Sequence, residues 1–202
     1  MKLNALLSPT VGALLLAVSV GCVSLDPKSD PTRFYVLSTP AMATTASDDC
    51  ARTVLVGPVR LASSADQPGV RERVSPTEVR FLEWHRWAEP LSQSVPRALI
   101  TRLATQLPDA CVLSFQRATP GTNTLQLEID LDQFELTTAN EAVLGARWRS
   151  FKPSDPTDVI RGNATFTKSF ESGTNRVAAG VAALSELIDQ LALRLAADAK
   201  GR

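Results

Sequence analysis

The stretch Thr124-Leu125-Gln126-Leu127-Glu128-Ile129-Asp130-Leu131-Asp132-Gln133-Phe134 decides the fold. Leu125, Leu127, Ile129 and Leu131 alternate with Gln126, Glu128, Asp130 and Asp132. A period of two puts the aliphatic side chains on one face of a β-strand and the polar ones on the other. Such a strand is half-buried and needs a cover on its apolar face. The C-terminal part of the chain supplies one. Val177, Val181, Leu184, Ile188, Leu191 and Leu195 recur every three or four residues, the stripe of an amphipathic helix. Thr174 or Asn175 can cap its start. Glu186, Asp189, Gln190, Arg194 and Asp198 fall on the opposite side. The stripe either covers the sheet or forms a seam with another helix, and a sheet with an open apolar face favours the first.

Working outward, other segments repeat the strand pattern. Arg33–Ser38 alternates and is aromatic, and Thr53–Leu61 is a second strand. The Gly57-Pro58 pair in that strand requires a bulge or an edge position. Val70–Val74 and Glu78–Trp84 read as a hairpin across Ser75-Pro76-Thr77. Alternation there puts Val79 and Phe81 on one face and Arg80, Leu82 and Trp84 on the other. Cys111–Phe115, Ala142–Phe151 and Ala164–Phe170 are further strands, with a turn over residues 152–157.

From Glu89 the period changes. Leu91, Val95, Leu99, Leu103 and Leu107 mark a helix ending near Gln106, with Pro108 enforcing the stop. Pro90 suits a first turn. Pro96 either weakens the early helix or moves its start to a cap at Ser94. The expected architecture is α+β: a mainly antiparallel sheet of seven or eight strands with two helices packed on one face, in a single domain.

The N-terminus carries a different message. Lys2 precedes an apolar run from Val11 to Val20, too short to span a bilayer as a helix of about 20 residues. It reads as a secretory signal. Ser19-Val20-Gly21-Cys22 is a lipoprotein cleavage pattern: a small residue precedes a thiol able to accept a diacylglycerol. Residues 1–21 are then a signal peptide and 22–32 a polar, Pro-containing tether. Residues 33–200 form the domain. Lipid on Cys22, including fatty acyl groups such as palmitate, anchors the chain more firmly than a single acyl chain would. Val23 replaces the Asp that commonly retains lipoproteins at the inner membrane. This favours the periplasmic face of the outer membrane. Cys50 and Cys111 remain, and in an oxidising compartment they either pair as a disulfide or lie as two buried thiols.

Composition and motifs exclude much else. The 202 residues carry 21 basic and 21 acidic side chains, so no electrostatic footprint for nucleic acid is present. His85 is the single histidine, and no His-x-x-x-His or Cys-x-x-Cys pattern can hold a metal. No Gly-x-Ser-x-Gly elbow or phosphate-cradling loop exists. Glu128, Asp130 and Asp132 are most simply the solvated side of their strand. No catalytic residue, metal site or cofactor is expected beyond the covalent lipid. Trp84-His85-Arg86-Trp87-Ala88-Glu89-Pro90-Leu91 stands apart, with two of three tryptophans just before a helix. Such aromatics plug a core edge or anchor an interface. Trp84, Trp87, Pro90 and Leu91 are the candidates for a partner or oligomer contact.

Four blocks, in order and spacing, resemble a known family. They are Phe34-Tyr35-Val36-Leu37 soon after the lipidated Cys; Val54-Leu55-Val56-Gly57-Pro58-Val59; Trp87-Ala88-Glu89-Pro90-Leu91 opening a helix; and Ile129-Asp130-Leu131-Asp132-Gln133-Phe134 followed by Ala146-Arg147-Trp148. The chain is similar to the ABC-type transport auxiliary lipoproteins of the PqiC (YmbA) type, over nearly the whole mature sequence. The resemblance implies lipid traffic across the envelope beside an MCE-domain protein (PqiB-like), in some systems with ABC transporter components. It also implies an outer-membrane docking role and a homo-oligomer, and it brings no catalytic motif. Ser19 in the cleavage pattern and Pro96 in the helix depart from the family. An assembly factor or chaperone for another outer-membrane machine is the alternative that a lipid anchor and such a domain also suit.

Overall fold

A computed structural model describes residues 29–39 and 50–201. The signal segment and Cys22 lie outside the described residues. From Thr32 onward the chain forms one compact unit. Its strands are β1 (Arg33–Tyr35), β2 (Arg52–Leu61), β3 (Gly69–Ser75), β4 (Glu78–Trp87), β5 (Ala110–Ser114), β6 (Thr124–Thr137), β7 (Glu141–Lys152) and β8 (Asp155–Ser169). The helices are α1 (Leu91–Gln106) and α2 (Arg176–Lys200). The α+β class with two helices over one sheet is as the periodicities require.

The sheet is mixed. β6 is its axis, pairing with β7 on one side and with both β2 and β3 on the other. Each tight turn gives the antiparallel pair expected of it: β3–β4, β6–β7 and β7–β8. The pairs β1–β4, β2–β5, β2–β6 and β3–β6 are parallel. All four join strands separated by long connections, and a long connection, unlike a tight turn, can bring the chain back in the same direction.

Leu127, Ile129, Leu131, Phe134 and Leu136 of β6 and Leu144, Ala146 and Trp148 of β7 face the helices. They pack against Leu184, Leu187, Ile188, Leu191 and Leu195 of α2 in one continuous core. The α2 stripe is therefore a sheet cover. α1 adds Leu91, Val95, Leu99 and Leu103 over β2 and β5. α1 starts at Leu91 and runs unbroken through Pro96. The shift of its start to Ser94 does not occur. Pro90 has no side-chain cap to offer, and Asp66 supplies one from the loop before β3, accepting from Ser92 N–H at 3.1 Å.

Gly57-Pro58 marks a bulge, with the register against β6 shifting between Val56 and Val59. A Cβ at Gly57 would lie 2.4 Å from the Phe115 ring, so only glycine fits. β8 begins at Asp155, nine residues before the expected Ala164. The stretch Asp155–Asn163 shows no apolar alternation because β8 is an edge strand whose order comes from backbone pairing with β7. Cys50 and Cys111 are bonded, with Cα atoms 5.5 Å apart. The bond ties the approach to β2 to the start of β5.

Candidate interaction surface

β4 carries both tryptophans of the candidate segment, and alternation along the strand puts these residues, three apart, on opposite sides of the sheet. The register against β3 jumps from Gly69↔Arg86 to Arg71↔Phe81, so four residues of β4, 82–85, lie opposite the single residue Val70. Simple alternation of residues 79–84 therefore fails: Phe81 and Trp84 line the same groove. Trp87 is turned inward, 7% exposed, and packs on Phe134 with ring centroids 6.1 Å apart. Leu91, the first residue of α1, is buried at 1%. The structure thus corrects two of the four contact candidates. Trp87 and Leu91 are core residues, because the helix opens with its apolar stripe already on the sheet. Trp84 is 48% exposed and Pro90 is exposed at the helix entry.

β1 completes this corner. It pairs in parallel with the end of β4, placing Phe34 beside Arg86 and Tyr35 beside Trp87. Tyr35 faces inward, and its hydroxyl lies 2.7 Å from His85 Nδ1. Burial, and then the nearby Arg33 charge, hold the His85 pKa below its ordinary value. The ring is therefore mainly neutral at pH 7 and shares a hydrogen bond with the tyrosine hydroxyl through Nδ1. Phe34 and Val36 face outward and are 65% and 62% exposed. Of the seven large apolar side chains exposed among the described residues, Phe34, Val36, Phe81 and Trp84 are four. Gln67, Pro68, Gly69, Leu82, Glu83 and Arg86 complete an open groove of about 460 Å³ around Phe81 and Trp84.

The corner is rigidly mounted. Ala88 N–H donates to Tyr35 C=O, and Trp87 N–H to Pro68 C=O, each at 2.8 Å. The chain leaving β1 is pinned to both helices: Arg102 of α1 donates to Ser38 C=O and pairs with Asp189 of α2, while Ser38 N–H donates to Ser185 Oγ. The β3–β6 ladder behind the corner is only two residue pairs long. Charges reinforce it on both faces. Glu72, fully buried under the helices, meets Arg80 at 2.5 Å and Arg176 at 2.7 Å. Glu135, 1% exposed on the other face, meets Arg71 at 2.9 Å and Arg73 at 2.5 Å. The sequence reading missed these residues, since Arg71-Glu72-Arg73 has the look of a solvated strand.

The acids of β6 do form the helix-free face, each matched to an arginine. Glu128 pairs with Arg149, Asp130 with Arg60 and Asp132 with Arg147. The hydrogen bond from Arg147 holds the Asp132 carboxyl below the usual range. A carboxylate so matched is poorly placed to act as a general acid or base. Among the described residues, no group of three His, Cys, Asp or Glu side chains could hold a metal ion. No helix among them is long and apolar enough to cross a membrane.

Residues 35–196 match the model of the ABC-type transport auxiliary lipoprotein component family. The chain belongs to this family. The match covers the whole fold from Tyr35 to the last buried turn of α2. It makes the protein a lipoprotein component associated with ABC-type transport. Two crystal structures share the fold. An uncharacterised protein is 18% identical, with a TM-score of 0.68, covering 83% of this chain and 97% of its own. A Xanthomonas campestris protein is 19% identical, with a TM-score of 0.63, covering 81% and 92%. No curated protein sequence matches the chain.

Proposed function

We propose that this protein is a non-enzymatic envelope lipoprotein that docks an MCE/ABC-type intermembrane lipid transport assembly at the outer membrane. The observation that carries the reading is the family match across the complete fold. Lipid on Cys22 fixes the chain to the periplasmic face of the membrane, and the domain works by contact as a homo-oligomer. Pro90, exposed at the entry to α1, belongs to its partner contact, with Trp87 and Leu91 buried in the core behind it. The Cys50–Cys111 bond suits an oxidising periplasm. No cofactor is needed, because nothing is transformed.

Crosslinking in cells followed by purification of the full-length, lipidated chain tests the reading. An MCE-domain protein, with or without ABC transporter subunits, is the expected partner. A secretin or an outer-membrane barrel recovered in its place would favour an assembly factor and overturn the transport reading.

A further inference from the structure

We propose that the surface formed by Phe34, Val36, Phe81 and Trp84 rests on the bilayer that holds the lipid anchor. The inference rests on the reading of Cys22 as the lipidated residue. The surface lies on the helix-free side of the sheet at the β1–β4 corner. Phe34 neighbours Arg86 across the β1–β4 pairing, and Arg86 shares the groove with Phe81 and Trp84. Elsewhere that side carries arginine–carboxylate pairs and one smaller apolar spot, where exposed Leu113 of β5 lies beside Leu55 of β2.

Three features select a bilayer as the occupant. The first is where the chain comes from. Phe34 is the second residue of β1 and only twelve residues from Cys22. At full extension that span reaches about 43 Å, so this corner can never move far from the membrane. Tethering raises the effective concentration of the surface at the lipid, and a patch too weak to bind alone then docks. The second is composition. Tryptophan and phenylalanine bodies beside arginines suit the headgroup boundary, where apolar rings meet water and guanidinium groups reach phosphates. In the groove Arg86 offsets the one acid, Glu83, so no net negative charge repels phosphate headgroups. The third is mounting. β1 is pinned by Arg102, Ser185 and the Tyr35–His85 pair, so the aromatics are presented on a fixed surface.

The test uses the full-length lipidated chain in vesicles of phosphatidylethanolamine and phosphatidylglycerol containing brominated phosphatidylcholine. The Trp84 signal is the emission lost in Trp84→Phe, a variant that keeps an aromatic ring at the surface. Bromine should quench that signal at least about twofold relative to vesicles without bromine. Phe34→Glu, at a position exposed enough to leave the fold intact, should lower the docked-to-undocked ratio about tenfold while the protein stays on the vesicles. A Trp84 signal untouched by bromine on firmly anchored protein would overturn the proposal. So would shielding of Trp84 that needs a second copy or an added protein instead of lipid. Failure of the underlying reading looks different: Cys22→Ala protein would remain in the membrane fraction of cells, placing the anchor elsewhere.

Discussion

The two faces of the sheet solve opposite problems. The face under α1 and α2 is a continuous apolar core from Leu37 to Ala199, interrupted by one fully buried acid, Glu72, held between two arginines. The opposite face has no helix. It is surfaced by arginine–carboxylate pairs across β2, β6 and β7, and four exposed apolar side chains gather at the β1–β4 corner. β4 shows the contrast within four residues. Trp87 is spent on the core and Trp84 is left outside. A residue's chemistry did not decide which; alternation along the strand did, and the bulge over residues 82–85 brought Phe81 to the side of Trp84. The lesson is that the covered face explains stability, while the uncovered corner is where a role in contact must be sought.

The largest expected effect lies under the helices. Phe134→Ala removes a ring that meets Trp87 and should cost about 4 kcal/mol in urea unfolding, through a cavity that the surrounding sheet cannot close. A loss below 1 kcal/mol would mean that the two faces are not so different. Next comes the buried acid. Glu72→Ala leaves Arg176 without its carboxylate and should destabilise by about 3 kcal/mol in the same measurement. On the uncovered corner a substitution should leave the fold intact and change contact instead. Trp84→Ser should alter folding stability by no more than about 0.5 kcal/mol while reducing contact with the membrane. Strong destabilisation there would show that Trp84 is structural. The smallest effect concerns pH. The folded His85 pKa lies below the ordinary value, so the unfolded chain binds the proton more readily. The His85 contribution is complete above about pH 6.5 and is lost as pH falls through the folded value. Comparing melting curves of the wild type and His85→Gln across that range should show their difference shrinking toward acid.

Much of this was legible in the chain. The alternation of Leu125–Leu131 and the stripe of α2 are strong because each is a long segment with a single buried side. Strand direction was legible only where a tight turn dictated it. The parallel pairs depend on where long connections return, which no local pattern records. The β4 bulge was illegible for the same reason: it exists in the register with β3, not in the residues of β4. Burial of Glu72 and Glu135 was hidden because a charged residue with partners looks like a solvated one in sequence. One signal was available and unused. Arg33-Phe34-Tyr35-Val36-Leu37 is apolar on both sides of an extended chain, and an edge strand covered on one side must expose the other.

Hydrogen exchange on the full-length chain, compared between its native membrane fraction and detergent solution, tests the central claim most directly. The account predicts that peptides spanning residues 33–37 and 80–88 exchange more slowly in the membrane fraction, while those of α2 are unchanged. Protection confined to the outer surfaces of the helices, with the β1–β4 corner exchanging equally in both states, would contradict it.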